Sequence, residues 1–147
     1  MDDSFTYRGM VYPWQCDHMG HMNVMHYVGK FDEAAWNMFA RIGLTPSALR
    51  RSGRGMAAVE QRISYQRELL AGDLVAIQSV LTELRDKAIV IEQTLFNAEH
   101  GFAAATMTLT GVHLDTVARK AVSFLPEVAS RARACLARPP VAAVFQL

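Results

Sequence analysis

The spacing of apolar residues changes near residue 24, and that change predicts the principal element of the chain. From there to Ile42, apolar side chains recur every three or four residues, as on one face of a helix of roughly five turns. These positions are Val24, Tyr27, Val28, Phe31, Ala35, Met38, Phe39 and Ile42. Asn23 precedes the stripe as a suitable N-cap, and Gly43 follows it as a suitable stop. The pattern predicts one long amphipathic helix that lies across a sheet.

Alternation of apolar and polar residues predicts five strands, one before the helix and four after it. They are expected at residues 5–11, 58–67, 73–84, 88–97 and 102–114. The last contains a run of alanines, but its Thr-x-Thr-x-Thr alternation favours a strand. The segment 45–56 has no period and is interpreted as a connector, and Pro126 is expected to begin a short helix that runs to Ala137.

This order of elements predicts an α+β fold in which a five-stranded antiparallel sheet wraps around one long helix. A single helix covers only one face of such a sheet, so the other face and the edges call for a partner chain. We therefore expect a homodimer or a dimer of dimers. Residues 1–138 are predicted to form one domain, and the apolar tail 139–147 is expected to pack on a neighbouring subunit.

Composition and charge exclude several classes of protein. The chain has 147 residues, of which 51% are hydrophobic and 20% charged, with a formal net charge of +1. These values are typical of one globular domain and argue against a nucleic-acid partner. No apolar run reaches the roughly 18 residues of a membrane span, and no signal peptide is evident. The two cysteines, Cys16 and Cys135, form no CxxC pair. We therefore expect a cytoplasmic protein.

The chemically active side chains concentrate directly before the long helix, in residues 12–27. This stretch contains Asp17, Asn23, three histidines and aromatic side chains at both of its ends. The first amides of a helix have no intrahelical acceptor and carry the positive end of the helix dipole. A substrate oxygen that becomes negative would be stabilised there, and a nearby carboxylate could attack the substrate or activate water. The stretch therefore predicts an enzyme.

Structural explanations remain open for the same residues. Asp17 suits a turn, Asn23 suits a helix cap and Tyr27 suits the core face of the helix. His21 is a candidate either for direct catalysis or for a hydrogen bond that orients Asp17 or Asn23. A metal site would draw on His18, His21, His26, Cys16 and Asp17. Their spacing matches no closed zinc pattern, so no metal is predicted.

The stretch also resembles the signature of a known family. Asp17-His-Met-Gly-His-Met-Asn23, followed by Tyr27, is similar to the D-x-x-G-H-x-N-x-x-x-Y motif of hotdog-fold acyl-CoA thioesterases of the 4-hydroxybenzoyl-CoA thioesterase type. The segment Tyr65-Gln-Arg-Glu-Leu-Leu-Ala-Gly-Asp73 resembles that family's strand, turn and G-D-x-L entry into the next strand. Phe124-Leu-Pro126 resembles its closing segment. The likeness extends over residues 5 to 127, nearly the whole chain.

The resemblance implies hydrolysis of a coenzyme A thioester to a free acid and CoA, with no cofactor beyond the CoA of the substrate. Asp17 would act as nucleophile or general base, and the amides of residues 23–26 would polarise the thioester carbonyl. The catalytic candidates that it implies are Asp17, Asn23 and His21. The candidates for contact with substrate are Trp14, Val24, Met25, His26 and Tyr27, with Glu60 and Tyr65 from the other subunit of a dimer. The candidates for the phosphates of CoA are Arg85, Lys87, Arg119 and Lys120.

The sequence predicts the type of reaction more narrowly than it predicts the acyl group of the substrate. An aromatic neighbourhood of Tyr12, Trp14 and Trp36 would suit an aromatic acyl group or a quaternary ammonium held by cation–π contact. The His-Met-Gly-His-Met-Asn form of the motif resembles thioesterases of carnitine and betaine catabolism, which implies a betainyl group as one candidate beside short polar groups. Two other functions stay open: a dehydratase or hydratase on the same fold, and a non-catalytic module that binds acyl thioesters.

Overall fold

The central element of the computed structural model, which describes residues 4–136, is the helix α1 (Val24–Arg41). Asn23 caps it, because its side-chain oxygen accepts a hydrogen bond from the Met25 amide at 3.0 Å. Gly43 follows its end with a φ of +93°, a left-handed conformation that glycine adopts without strain. The side chains that α1 buries are Tyr27, Lys30, Phe31, Ala34, Ala35, Met38 and Phe39. The helix and both of its ends are therefore as predicted.

A single antiparallel sheet wraps around this helix. Its strands are β1 (Phe5–Met10), β2 (Arg54–Tyr65), β3 (Leu74–Leu84), β4 (Ala88–Asn97), β5 (Ala103–Asp115) and the short β6 (Lys120–Ala121). The order across the sheet is β1-β3-β4-β5-β2, and β6 pairs with the end of β5. The α+β prediction and its five strands are confirmed, and the two-residue β6 is an addition that depends entirely on its pairing with β5.

The predicted connector 45–56 is wrong, because it contains the helix α2 (Pro46–Ser52) and the start of β2. Thr45 caps α2 by accepting a hydrogen bond from Ala48 at 3.2 Å, and Gly53 ends it with a φ of +65°. A helix this short buries only Leu49, so it leaves no periodic stripe in the sequence. The start of β2 is not visible in the sequence either, because it depends on a distant residue. The Arg54 guanidinium donates a hydrogen bond to the Asp115 carboxylate at 2.9 Å.

The C-terminal helix α3 (Pro126–Leu136) begins at the predicted proline. Its predicted end at Ala137 and the apolar tail 139–147 lie outside the described residues. Between residues 4 and 136, no helix is both long and apolar enough to cross a membrane.

Pairing register brings three loops to one end of the sheet. Met10 pairs with Leu74, and Tyr65 and Leu95 both pair with Ala105. The loops 11–23, 66–73 and 98–102 therefore share this end, which we call the site end. Helix α1 starts here too, because the side chain of its residue Lys30 donates to the Met10 carbonyl at 3.1 Å. The turns that join β3 to β4 and β5 to β6 lie at the opposite end.

One edge of the sheet is open along its whole length. Strand β2 pairs with β5 on one side only, and most of its residues are exposed. Its apolar side chain Val59 has 61% of its surface exposed, and it stands at a bulge in the pairing with β5. An open edge of this length presents unpaired main-chain groups to solvent or to another strand.

Candidate active site

Asp17 stands at the start of a tight turn that leads into α1. Its amide donates to the His21 carbonyl at 3.2 Å, and the Gly20 amide donates to the Asp17 carbonyl at 3.0 Å. Gly20 has a φ of +86°, which favours glycine at this position. Asp17 can therefore be both a turn residue and a catalytic carboxylate, because the turn fixes the direction of its side chain.

Two hydrogen bonds orient the Asp17 carboxylate. Oδ2 accepts from the side-chain amide of Asn23 at 2.7 Å, and Oδ1 accepts from the Met19 amide at 2.8 Å. The Asn23 bond contributes most to lowering the pKa of this carboxyl, followed by the Met19 bond, with smaller contributions from His18 and His21. The group is therefore ionised at neutral pH. A carboxylate accepts about four hydrogen bonds, so both oxygens keep a lone pair free for other chemistry.

Asn23 connects this carboxylate to the start of the helix. Its amide nitrogen holds Asp17, while its side-chain oxygen caps α1 through the Met25 amide. Its own main-chain amide donates to the Gln15 carbonyl at 2.9 Å, and its carbonyl accepts from His26 at 3.0 Å. Asn23 is thus fully engaged in positioning the loop and the helix relative to each other.

Of the four amides predicted to polarise a substrate carbonyl, three are already hydrogen-bonded. Those of Asn23, Met25 and His26 are taken by Gln15 or by Asn23 itself. The Val24 amide has no acceptor anywhere in the part of the chain that the structure describes. It is adjacent to the residue that holds Asp17, and it lies in the first turn of α1. Val24 therefore carries the one free amide among residues 23–26.

A second loop is joined to this turn. The Met22 amide donates to the Leu69 carbonyl at 2.8 Å, and His21 Nε2 lies 3.5 Å from Glu68 Oε1. The loop 66–73 thus supports the residues that present Asp17. The sequence did not single out Glu68, since nothing local indicates that it would meet His21.

Aromatic residues of the segment 12–27 take part in two ring pairs. Trp14, which is 73% exposed, stacks on Tyr12 with 4.5 Å between ring centroids. Tyr27 is buried and meets Tyr65 edge-on at 5.0 Å. Burial, then the proximity of Tyr65 and of Glu68, raises the pKa of Tyr27 to about 12, so its hydroxyl keeps its proton.

The remaining predicted substrate contacts are spread along α1 and β2. Val24 and Met25 are exposed and His26 is half-buried. Glu60 is exposed on the open edge of β2, where its carboxylate lies 3.3 Å from Arg62. Further along, α1, β2 and β5 line a small cleft of about 70 Å³ that is partly open to solvent. Its lining is mostly apolar and includes Asp32, Trp36, Met56, Ala58 and Gln61.

The basic residues predicted to meet the CoA phosphates lie at the opposite end of the sheet from Asp17. Arg85 and Lys87 lie in the turn between β3 and β4, and Arg85 already forms a two-point ion pair with Glu83 at 2.8 and 3.1 Å. Arg119 and Lys120 lie near the turn between β5 and β6. The ten-residue strand β4 spans roughly 30 Å. Within one chain these residues are therefore a full strand length from the site.

No group of three or more His, Cys, Asp or Glu side chains within residues 4–136 is arranged to hold a metal ion. The turn residues His18, His21 and Cys16 thus form no such cluster with Asp17. That the reaction needs no metal or other cofactor stays a prediction.

Comparison with known proteins gives consistent results. The thioesterase-like superfamily matches residues 11–132. Protein THEM6 of Xenopus laevis is 30% identical over 102 residues, which is 69% of this chain but 49% of that protein, so the chain spans about half the length of that relative. A hypothetical protein of Staphylococcus aureus in complex with CoA has a TM-score of 0.89 at 18% identity, covering 98% of this chain and 91% of its own. A 1,4-dihydroxy-2-naphthoyl-CoA thioesterase from Synechocystis has a TM-score of 0.78 at 20% identity, covering 92% and 98%. The hotdog fold is confirmed.

Proposed function

The chain belongs to the thioesterase-like superfamily, and we propose that it hydrolyses acyl-CoA thioesters to a free carboxylic acid and coenzyme A. The observation that carries this proposal is the link made by Asn23. One side chain holds the Asp17 carboxylate at 2.7 Å and caps the helix whose first residue, Val24, has a free amide. Asn23 thereby connects the Asp17 carboxylate to the helix turn that carries the free Val24 amide.

Thioester hydrolysis requires little more than these two groups. A thiol titrates near 8.5, so the thiolate leaves without an obligatory general acid. The remaining requirements are a nucleophile or base, and a donor for the oxygen that becomes negative. Asp17 supplies the first and the Val24 amide supplies the second. The lowered pKa of Asp17 keeps it ionised for either role.

We also propose that two chains form a homodimer through the open edge of β2. Antiparallel pairing of two β2 strands would bring the Tyr65 end of one chain beside the Arg54 end of the other. The site end of one chain would then adjoin the cleft of its partner, whose lining includes Met56 and Ala58. The cleft would thus be completed by the second chain, and Arg119 and Lys120 of that chain would come nearer to the bound CoA.

Charge on the open edge should separate the two chains. Val59→Lys is expected to give a monomer, because a lysine on an exposed edge strand opposes strand pairing and two-fold symmetry brings the two charges together. Val117→Lys is the matched control, since Val117 is 88% exposed at the opposite end of the sheet. Light scattering after gel filtration gives the mass of each variant. A wild type that is monomeric and active, or a Val59→Lys dimer of full activity, would refute the dimer.

Removing the Asn23 amide should move the acid limb of kcat/KM to higher pH. The hydrogen bond from Asn23 is the largest cause of the lowered pKa of Asp17. Without it the pKa rises towards its ordinary value, so activity is lost at a higher pH as the carboxylate protonates. In Asn23→Ala the lost cap also destabilises the protein by about 1 kcal/mol.

Asn23→Ser separates the two effects. Serine caps a helix about as well as asparagine but is too short to hold Asp17 in the same way. This variant should keep the thermal stability of the wild type and still shift the pH profile. Identical acid limbs in the wild type and both variants would show that Asn23 does not tune Asp17.

The acyl group is proposed to be aromatic, short and polar, or betainyl. Trp36 in the cleft, together with the exposed stack of Tyr12 and Trp14, supplies flat surfaces for an aromatic ring or for a quaternary ammonium. Release of free thiol from a panel of CoA thioesters tests both the reaction and the acyl group. A preference for long-chain fatty acyl-CoA would remove the betainyl candidate. Binding without thiol release from any member would instead identify a non-catalytic module.

A further inference from the structure

The contact between His21 and Glu68 is unexplained by the chemistry described so far. His21 is 28% exposed and Glu68 is 71% exposed, and their nearest side-chain atoms are 3.5 Å apart. The neighbouring main-chain bond from Met22 to Leu69 fixes the two loops relative to each other. His21 also belongs to the turn of Asp17, since its carbonyl accepts the Asp17 amide at 3.2 Å. A histidine with a carboxylate behind it therefore stands in the same turn as the proposed nucleophile or base.

The orientation of this pair determines which ring nitrogen is available. A proton on Nε2 faces Glu68 and leaves Nδ1 unprotonated, with a free lone pair. At 3.5 Å the contact is longer than a good hydrogen bond, as is common for acid–base pairs before substrate binds. The other titratable groups near His21 are Asp17 and His18 of its own turn, and Tyr27 lies near Glu68. Within residues 4–136, Glu68 is the group that forms an ion pair with the imidazole.

The reaction itself creates a need for such a base. A carboxylate held by two hydrogen bonds is a weak proton acceptor, although it stays available for attack on a carbonyl carbon. Hydrolysis nevertheless releases a proton from water, and a neutral imidazole is the better acceptor for it.

We propose that Glu68 is a positioning residue that orients His21 as the base for the hydrolytic water, while Asp17 acts as the nucleophile. This rests on the proposed thioesterase function and assigns the two halves of the reaction to different residues. In the first half, an Asp17 oxygen bonds to the acyl carbon, the carbon–sulfur bond breaks and the CoA thiolate departs, which leaves a mixed anhydride. In the second, water adds to the acyl carbon and gives one proton to His21. The bond to Asp17 then breaks, the free acid leaves, and His21 passes its proton to solvent.

Rapid-mixing measurements of thiol release distinguish the two halves. In His21→Gln, the first equivalent of thiol per site should appear at about the wild-type rate. Steady-state release should then fall by roughly 100-fold or more, the contribution of a positioned base. Glu68→Gln should show the same burst with a steady-state loss of roughly 10-fold, and Glu68→Asp should recover part of it. The acid limb of kcat should disappear in His21→Gln.

Glu99 provides a matched control for Glu68. It lies 3.8 Å from His100 in another exposed Glu–His pair, which has no role in the proposed reaction. Glu99→Gln should leave the burst, kcat and its pH profile unchanged. If Glu68→Gln behaves like Glu99→Gln, or if both halves slow equally in His21→Gln while its melting temperature stays at the wild-type value, the dyad is refuted. The thioesterase proposal would survive either result, because it depends on Asp17 and not on this pair.

Discussion

Asp17→Asn is expected to lower kcat for thioester hydrolysis by several hundredfold or more, with the fold retained. The substitution removes the negative charge that attacks the carbonyl or activates water, and positioned bases contribute roughly 10²–10⁴-fold. Asparagine still offers one oxygen to the Met19 amide, so the turn keeps one of its two side-chain hydrogen bonds. Thiol release from the preferred CoA thioester gives the rate, and circular dichroism and thermal unfolding report the fold.

One feature of this variant needs its own control. The new amide would face the Asn23 amide nitrogen, which now donates to Oδ2, and two donors cannot bond to each other. A loss of activity could then come from displacement of Asn23 and of the helix cap. Asp17→Ala removes the carboxylate without adding a donor, so both variants should be equally inactive. Wild-type turnover in either variant would remove Asp17 from the mechanism.

Val24→Pro is expected to lower kcat by about 10²–10³-fold, the loss that follows removal of one oxyanion donor. Proline has no amide hydrogen, so it deletes the one free donor among residues 23–26. It also fits the first position of a helix, where its fixed φ is already suitable. The preceding Asn23 has a φ of −71° and a ψ of +146°, the extended conformation preferred before proline. The variant therefore changes the donor with little strain on the backbone.

Val24→Ala is the matched control, because it shortens the side chain but keeps the amide hydrogen. It should retain near-wild-type kcat, with any change confined to KM through lost apolar contact at this exposed position. Both variants should unfold at similar temperatures. If Val24→Pro turns over like Val24→Ala, the oxyanion is stabilised elsewhere and the helix start is only a structural element.

The long helix, its caps and the five strands could be predicted from the sequence because each depends on local spacing. Burial of one face of α1 requires apolar residues at three- and four-residue intervals, and that requirement is readable in the chain. Asn23 and Gly43 likewise act within a few residues of themselves. The short helix α2 could not be predicted in this way, since seven residues that bury only Leu49 produce no period.

The candidate site was likewise predictable only where it depends on residues close together in the sequence. Asp17, Asn23 and Val24 lie within eight consecutive residues, 17–24, so a single motif could indicate a carboxylate beside a helix start. Which amide is free was not readable, because it depends on Gln15 accepting from Asn23 and on the direction of the Asn23 side chain. Arg85 and Lys87 have the positive charge that a phosphate requires. The pairing register of β3 with β4 nevertheless places them at the end of the sheet opposite Asp17.

The sequence by itself determined the amphipathic helix, the strands and the acid-bearing turn before the helix, since these follow from contacts between near neighbours. Only the tertiary structure decided that Glu68 stands beside His21, that Val24 alone keeps a free amide among residues 23–26, and that β2 is an open edge. The Val24 amide depends on how residues 15–26 fold on one another. The other two depend on segments tens of residues apart, which meet because the whole sheet packs around α1.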